Sequence, residues 1–504
     1  NNLEKWVENA KKVGNVYSRW TYGITEIRIT LEHGIKLPVG DYVFVKNEET
    51  GNPIIYQISY PHYYKPGFDF EEALITTGSP LKESGGIRYR CVGVLLGELI
   101  KTNGGYDIEP PRYPIPPMAD VYKCSLEMVK IVTEPQDSWK IKLGKNPETN
   151  LDVYISLKPL IRQSLLITGA QGTGKTTALL TIIARAATAK PPIHFLILDW
   201  SGEYISLINV RELENKVHII PWWKLVYGSL YEKPETIAPL LIDDPRVTTA
   251  VAGLIKSGLA WCARSGLYPL KNNLKVGIQE SRGSRKQETV DNAIKIIDDL
   301  ELGLIEKEPS DDKIIRIEDF LEYVKKYNVV IIDFSRTEDE DIPDYFDFKK
   351  SIAEYLAEAI WNEARLNKRF GCVIVSDEAH RLCPEFEPIH PIWHRLATEG
   401  GRNCCPLWLV ARRLSIVSKK VTTEAQQNFI CFNVEDVDRR RVEEDLGTTF
   451  AGLLGSLAAG EAMVKSNGFR IPGQVIHVKF DKIVEPASAV HGPEDRFKAM
   501  AEIQ

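Results

Sequence analysis

"LLITGAQGTGKTTALL", residues 165–180, sets an apolar run against a glycine-studded turn, then Lys-Thr and a second apolar run at helical spacing. The octet 169–176 reads G-x-x-x-x-G-K-T, which specifies a phosphate-binding P-loop when a strand precedes it and a helix follows. Both flanks meet that condition. In such a loop, successive backbone N–H groups and the helix N-terminus surround the phosphates of a nucleotide, here expected to be ATP. Gly169, Gly172, Thr173, Gly174, Lys175, Thr176 and Thr177 are the expected nucleotide-binding residues. Lys175 can reach the β and γ positions, and the Thr176 hydroxyl can ligate Mg²⁺.

Outward from this stretch the chain alternates buried-strand text with helical text. The runs "SLLITG", "IHFLILDW", "NVVIIDFS", "GCVIVSDEAH", "PLWLVAR" and "NFICFNV" are continuously apolar and separated by helical segments, which predicts a mainly parallel sheet covered on both faces, an α/β core. Residues 226–326 show helix-like runs without a strand pattern and read as a helical insertion. Before residue 125 the pattern is different. "TEIRITL", "DYVFVKN", "PIIYQISY" and "YRCVGVLLGELI" are short strands with frequent turn signals, as in a small barrel or sandwich. The proline cluster "EPPRYPIPP" reads as a linker across the front of the next domain. The expected organisation is a β-barrel over 1–125, a linker with the strand leading into the core over 126–150, a RecA-like core over 151–225 and 327–485, and a polar tail over 486–504.

At 504 residues with a net charge of -6, the chain has room for two or three domains and a large core. The weak charge means that a polyanion partner must be held by local basic loops. Cys91, Cys124, Cys262, Cys372, Cys383, Cys404, Cys405 and Cys431 form no C-x-x-C pair and read as reduced thiols of a cytoplasmic protein. No apolar stretch approaches the roughly 18 residues of a membrane span. The polar N-terminus is not a signal peptide, and its opening on Asn1 rather than Met reads as trimming.

Hydrolysis needs more than a P-loop. The apolar run "CVIVSDEAH" ends in Asp377-Glu378, where the aspartate can hold the Mg²⁺ shell and the glutamate can polarise a water. Standing alone, the acid pair reads equally well as a helix cap. Phosphoryl transfer also needs a cation at the γ-phosphate, often an arginine from a neighbouring subunit. Arg402 in "LATEGGRNCC" is the first candidate and Arg162, just before the P-loop strand, the second; either reads also as a solvated arginine.

In order along the chain, "LLITGAQGTGKT", "FLILDWSGEY", "VIVSDEAHRLCP", "ATEGGRN", "LWLVARRLSIVS" and "LLGSLAAGEAMV" resemble the HerA branch of the HerA/FtsK P-loop motor ATPases. Asp199, Gly202, Glu203 and Tyr204 match the family's D-x-x-G-E-Y element; Leu457, Gly460, Glu461 and Ala462 match its L-x-x-G-E-A element. The resemblance implies a homo-hexameric ring that moves double-stranded DNA, a barrel docking a NurA-like nuclease or another effector, and nucleotide-site roles for Asp199 and Glu203. This chain departs from the family where a polar S-Q pair, able to sense the γ-phosphate, followed by Arg-Pro is usual: it reads Ala411, Arg412, Arg413, Leu414, so either Arg412 supplies a charge in place of the glutamine amide or the sensing is weakened.

A DNA motor needs cations facing the phosphates. Two segments offer them: Arg412, Arg413, Lys419 and Lys420, and the stretch with Lys271, Lys275, Arg282, Arg285 and Lys286. The first leaves the sheet edge that carries catalysis. His390 and His394 stand four apart, but Pro391 between them favours a loop. Trp222-Trp223 reads more readily as a buried anchor for the insertion than as a base-stacking pair. "VEDVDRRRVEEDLG" reads as a solvent or subunit-contact helix. Two rival readings remain: a nucleotide-controlled ring scaffold for a nuclease or defence effector, with little translocation, and a protein-remodelling ATPase.

Overall fold

Period-two alternation in the N-terminal segment builds a closed antiparallel barrel in the computed structural model, which describes residues 2–16, 25–32, 34–64, 88–226, 247–265, 271–299, 315–316, 319–335 and 346–487. Its strands are β1 (Lys12–Val16), β2 (Glu26–Leu31), β3 (Tyr42–Lys46), β4 (Pro53–Tyr64), β5 (Arg88–Thr102), β6 (Gly105–Glu109) and β7 (Asp120–Lys123). The order is β2-β1-β7-β3-β4-β5-β6, and β2 also pairs with β5, so the ring closes with β6 outside it. Closure removes the exposed edges that an open sandwich would keep. Val13, Ile27, Ile29, Val43, Val45, Ile54, Tyr56, Ile58 and Val121 fill the interior.

The proline cluster is not an interdomain linker. It lies between β6 and β7 and returns the chain to a four-residue strand, "DVYK", that pairs β1 with β3. That strand is too short and too polar to announce itself in the sequence. Helix Leu126–Thr133, capped where Ser125 Oγ accepts from Met128 N–H at 3.3 Å, then leads out of the barrel.

The core strands are β8 (Lys140–Lys145), β9 (Asp152–Ser156), β10 (Leu165–Thr168), β11 (Phe195–Asp199), β12 (Val217–Pro221), the short pair β13 (Leu225–Val226) and β14 (Ile315–Arg316), then β15 (Val329–Asp333), β16 (Val373–Ser376), β17 (Leu407–Ala411), β18 (Asn428–Cys431), β19 (Glu461–Ser466) and β20 (Gln474–Phe480). They form an eleven-stranded sheet ordered β12-β15-β11-β16-β17-β10-β18-β19-β20-β8-β9, with β13 and β14 pairing separately. From β12 to β18 every neighbour is parallel; from β18 to β9 every neighbour is antiparallel.

The apolar runs are continuous because both faces are buried. Leu166, Leu196, Leu198, Ile332, Ile374 and Leu409 point to one side, and Ile167, Phe195, Ile197, Ile331, Val375 and Trp408 to the other. The insertion contributes helices Thr249–Ser265, Lys271–Glu280 and Gln287–Asp299, entered and left through the β13–β14 pair. Val251, Leu254 and Ile278 pack in the same core as Trp222, which is buried; the side chain of Trp223 lies outside the described residues. Barrel and core meet where Gln57 Nε2 donates to Val475 O at 2.9 Å and Gln474 Nε2 donates to Tyr42 Oη at 3.1 Å. The tail expected from 486 lies outside the described residues beyond 487. No helix among the described residues is long and apolar enough to cross a membrane.

Candidate functional site

The parallel ladder places the ends of β10, β17, β16 and β11 side by side, and the loops that follow them carry the chemistry. This is the edge at which open parallel sheets bind ligands. After β10 the chain turns through Gly169 (φ 152), Gly172 (φ 76) and Gly174 (φ 109) into helix Lys175–Ala187. A Cβ at Gly169 would lie 2.6 Å from Phe432 Cβ, and one at Gly174 3.0 Å from Gly460 Cα. Only glycine fits. Gly460 N–H also donates to Thr173 O at 2.9 Å, so the late G-E-A element braces the P-loop from outside.

Lys175 is 8% exposed, and its ammonium donates to Gly169 O and Ala170 O, both at 2.7 Å. Burial, then the nearby Arg412 guanidinium, push its pKa down to about 8, against the opposing pull of Glu378 and Glu203. Thr173 Oγ1 donates to Ala170 O, closing the loop, while Thr176 and Thr177 stand half-buried in the first helical turn.

Asp199 and Asp377 end adjacent strands and are both buried. Asp199 Oδ1 accepts from Ser201 N–H at 3.2 Å and Gly202 N–H at 2.7 Å, and Oδ2 from Tyr204 N–H at 3.0 Å. Its carboxylate is engaged by the turn it starts. Gly202 (φ 74) lets that turn pass Ser335, whose Oγ would be 2.5 Å from an added Cβ. The turn in turn holds Asp377, whose oxygens accept from Trp200 N–H at 2.9 Å and Ser201 Oγ at 2.5 Å. Burial first, then the neighbouring Asp199 charge, raise Asp377 well above the ordinary carboxylate range. Trp200 and Ser201 carried no signal of this role in the sequence beyond their place inside the D-x-x-G-E-Y element.

Glu378 has φ 50 and ψ 54, the left-handed region, which costs a non-glycine residue of order 1 kcal/mol and is retained where surrounding structure over-determines it. Its carboxylate pairs with Arg412 Nε at 2.8 Å and lies 3.4 Å from His380 Nδ1. Burial is the main cause that lowers the His380 pKa.

Arg402 and Arg162 are exposed and sit at the other edge of the sheet. Arg402 belongs to the 3₁₀ turn Gly400–Asn403 before β17, and Arg162 ends helix Leu157–Arg162 before β10. The turn packs on the helix so closely that a Cβ at Gly401 would lie 1.6 Å from Arg162 O. The structure thus brings the two arginines together and separates both from the P-loop of their own chain.

Among the basic segments, Lys419 and Lys420 are exposed, and Arg413 pairs with Glu435 at 2.7 Å. In the insertion, Lys275 pairs with Asp298 at 2.7 Å, Arg282 donates to Gln287 and to Arg285 O, and Arg285 donates to Ser281 O. The side chain of Lys271 lies outside the described residues. His390 and His394 do not lie in a loop. His390 caps helix Pro391–Glu399, with Pro391 in its first turn, where the missing N–H is no loss. Among the described residues no cluster of three or more His, Cys, Asp or Glu is placed to hold a metal.

Residues 141–363 match the family model described as "Helicase HerA, central domain". That span runs from β8 into helix Phe346–Leu366 and includes the P-loop and Asp199–Tyr204; Asp377-Glu378 lie beyond it and rest on the geometry above. No curated protein matches the chain. Of solved structures, VirB4 of Thermoanaerobacter pseudethanolicus is similar over 72% of this chain and 100% of its own, with a TM-score of 0.51 and 14% identity, a likeness of fold. The genome packaging NTPase B204 of Sulfolobus turreted icosahedral virus 2 aligns over 64% of this chain and 99% of its own at 11% identity and a TM-score of 0.31. With the HerA central domain matched over residues 141–363, and an acid pair at the end of β16, which β17 separates from the P-loop strand, the chain is a HerA-like P-loop ATPase.

Proposed function

We propose that the chain forms a homo-hexameric ring that couples ATP hydrolysis to translocation along double-stranded DNA. The observation that carries the ring is the position of Arg402 beside Arg162. Because β10 and β17 run parallel, both arginines lie at one end of strands whose other end bears the P-loop, about 15 Å away at ~3.3 Å per residue. That separation favours action on an adjacent subunit's nucleotide, as closed rotational assemblies allow.

In this reading Lys175 and the P-loop N–H groups bind the phosphates. Glu378 orients water for attack on the γ-phosphorus and accepts its proton as the bond to the β–γ bridging oxygen breaks. Arg402 of the adjacent subunit balances the charge that develops. The Thr176 hydroxyl and the Asp377 carboxylate would supply hard oxygen donors, and the buried Asp377, whose charged form is disfavoured by burial and by Asp199, would gain from a divalent cation, so the residues fit Mg²⁺. When bound, Mg²⁺ would neutralise charge on the phosphate oxygens. Lys419 and Lys420 would face the DNA, the barrel would dock a NurA-like nuclease or another effector, and the free, mostly buried thiols support a cytoplasmic setting.

The Glu378–Arg412 pair, which holds the water-polarising group, favours one alternative: a nucleotide-controlled ring scaffold with slow turnover. Steady-state ATP hydrolysis with and without linear duplex DNA, with Glu378→Gln as the blank, separates the two. Several-fold stimulation by duplex is expected of the motor. Turnover above the blank but indifferent to DNA would exclude it in favour of the scaffold, and acceleration by unfolded polypeptide alone would point to protein remodelling.

A further inference from the structure

The Gly460 turn that braces the P-loop is itself held from behind. Glu461 N–H donates to Ala458 O at 3.0 Å, and Glu461 Oε2 accepts from Ala458 N–H at 3.1 Å, so the carboxylate closes the turn from 458 to 461. Phe480 N–H donates to Gly460 O at 2.9 Å and fastens the turn to β20. Gly460 N–H reaches Thr173 O, and Gly460 Cα closes off the space beside Gly174. Slack in this turn therefore passes to the backbone that surrounds the phosphates.

Strand β20 also carries the group that faces Glu461. His477 Nε2 lies 3.5 Å from Glu461 Oε2, and its Nδ1 lies 2.7 Å from Oε1 of Glu148, in the turn between β8 and β9. Asn146 Nδ2 of the same turn donates to His477 O at 3.0 Å. The side chains of His477 and Glu461 are only 15% and 14% exposed, and His477 Nε2 is buried with no hydrogen-bond partner among the described residues. The remaining charge here is Lys479, two residues along β20, whose ammonium meets Glu461 Oε1 at 3.8 Å. Next to the Glu148 turn, Leu151 packs against the barrel cluster that holds Tyr42 and Phe44. The bridge Glu148–His477–Glu461 thus joins the barrel junction to the P-loop.

The donor set decides which form of the ring fits. A carboxylate only accepts, so the 2.7 Å contact with Glu148 places a proton on Nδ1. A neutral ring would then aim the Nε2 lone pair at a second carboxylate oxygen. The imidazolium instead donates on both sides, and a shift of about 0.5 Å turns the Glu461 contact into a hydrogen bond.

We infer that His477 is a positioning residue of the nucleotide site: as the imidazolium it ties Glu461 to Glu148 and holds Gly460 against the P-loop, so that loss of its proton loosens the loop and weakens nucleotide binding. ATP and ADP feel the brace alike, because Thr173 and Gly174 belong to the part of the loop that cradles the phosphates common to both. The inference rests on nucleotide binding at the P-loop and not on a ring or on DNA, so it stands or falls apart from the motor reading.

The test is the affinity of the full chain for AMPPNP and for ADP, each with Mg²⁺, at pH 6 and pH 8.5, in the wild type, His477→Gln, Glu148→Gln and the double variant. Melting temperatures of the same preparations report folding. Glutamine keeps a donor but no charge. His477→Gln should weaken both nucleotides about fivefold at pH 6, the size of one mostly buried ion pair, and the ratio to wild type should approach one at pH 8.5. That ratio cancels the titration of Lys175 and of the nucleotide, which both proteins share. Glu148→Gln should weaken binding in the same pH-dependent way, and the double variant should lose no more than His477→Gln alone. KM for ATP should rise with kcat little changed, since the reacting groups are untouched. A ratio that is the same at both pH values would mark a purely structural role and overturn the inference. So would unchanged affinity at pH 6, or losses that add in the double variant. Should His477→Gln not fold, Glu148→Gln decides by the same pH-dependent ratio. Wild-type affinity of Lys175→Ala for both nucleotides would remove the P-loop assignment and the inference with it, whereas turnover indifferent to DNA touches neither.

Discussion

Asp199 accepts hydrogen bonds from three backbone N–H groups of the turn it starts, and that turn presents Trp200 N–H and Ser201 Oγ to Asp377. An amide in its place keeps one acceptor and turns an NH₂ towards a backbone donor. Asp199→Asn is therefore expected to lower stability by about 2 kcal/mol, the cost of a buried donor left unmatched, and to slow turnover more than it weakens nucleotide binding. Denaturant titration and AMPPNP affinity on one preparation decide it. A variant of unchanged stability that binds nucleotide as poorly as Lys175→Ala would make Asp199 a direct ligand instead. The family pattern marks this residue as a nucleotide-site candidate but does not say that it acts through its neighbours. That relation depends on which N–H groups a five-residue turn aims at one carboxylate.

Helix Asp436–Leu446 shows where element-scale reading succeeds and stops. Its alternating charges predict a solvated or subunit-contact helix, yet Asp438 and Arg441 turn inward and hold the loop that follows β17. Charge at helical spacing does not show which polar residue meets a neighbouring backbone. Asp445, at the end of the same helix, is partly buried, and its Oδ2 has no hydrogen-bond partner. Burial raises its pKa to about 6, against the opposing pull of Lys465 and Arg441. A carboxyl whose folded pKa lies above its unfolded value binds its proton more tightly in the fold. Its stabilising share is thus full below about pH 4 and lost as pH rises through 6. Asp445→Asn should raise stability at pH 7.5 by about 1 kcal/mol after allowance for partial exposure, a gain that shrinks as pH falls below 6. Melting temperatures at pH 7.5 and 5 test the sign; a gain larger at pH 5 would refute it. The same limit explains the strands. Continuous apolar runs made β10, β11, β15, β16, β17 and β18 legible, whereas "VHIIP" of β12 and the alternating "QVIHVKF" of β20 are too short or too polar to stand out without their sheet.

At the scale of the whole molecule, the sequence order of barrel, P-loop strand, acid pair and arginine turn is readable, but the side of the sheet each occupies is not. Parallel strands place everything that follows them on one edge and everything that precedes them on the other. A loop before β17 and a loop after it are therefore opposed, though only a few residues apart in the chain. Arg402 belongs to the first kind and Arg412 to the second. One consequence is testable by mixing. Lys175→Ala subunits keep Arg402 but cannot turn over nucleotide; Arg402→Ala subunits keep the P-loop but lack the cation. Each ring alone should be nearly inactive. In a random one-to-one mixture about one interface in four joins an intact P-loop to an intact Arg402, so ATP hydrolysis should recover towards that share of the wild-type rate. An arginine acting within its own chain allows no such recovery, because no subunit in the mixture carries both groups. Pre-formed rings that do not exchange subunits would give the same silence, so the variants are to be co-expressed and assembly of both into one particle verified by differential tagging. Inactive mixed particles would then place the catalytic cation elsewhere, with Arg412 the first group to test in its stead.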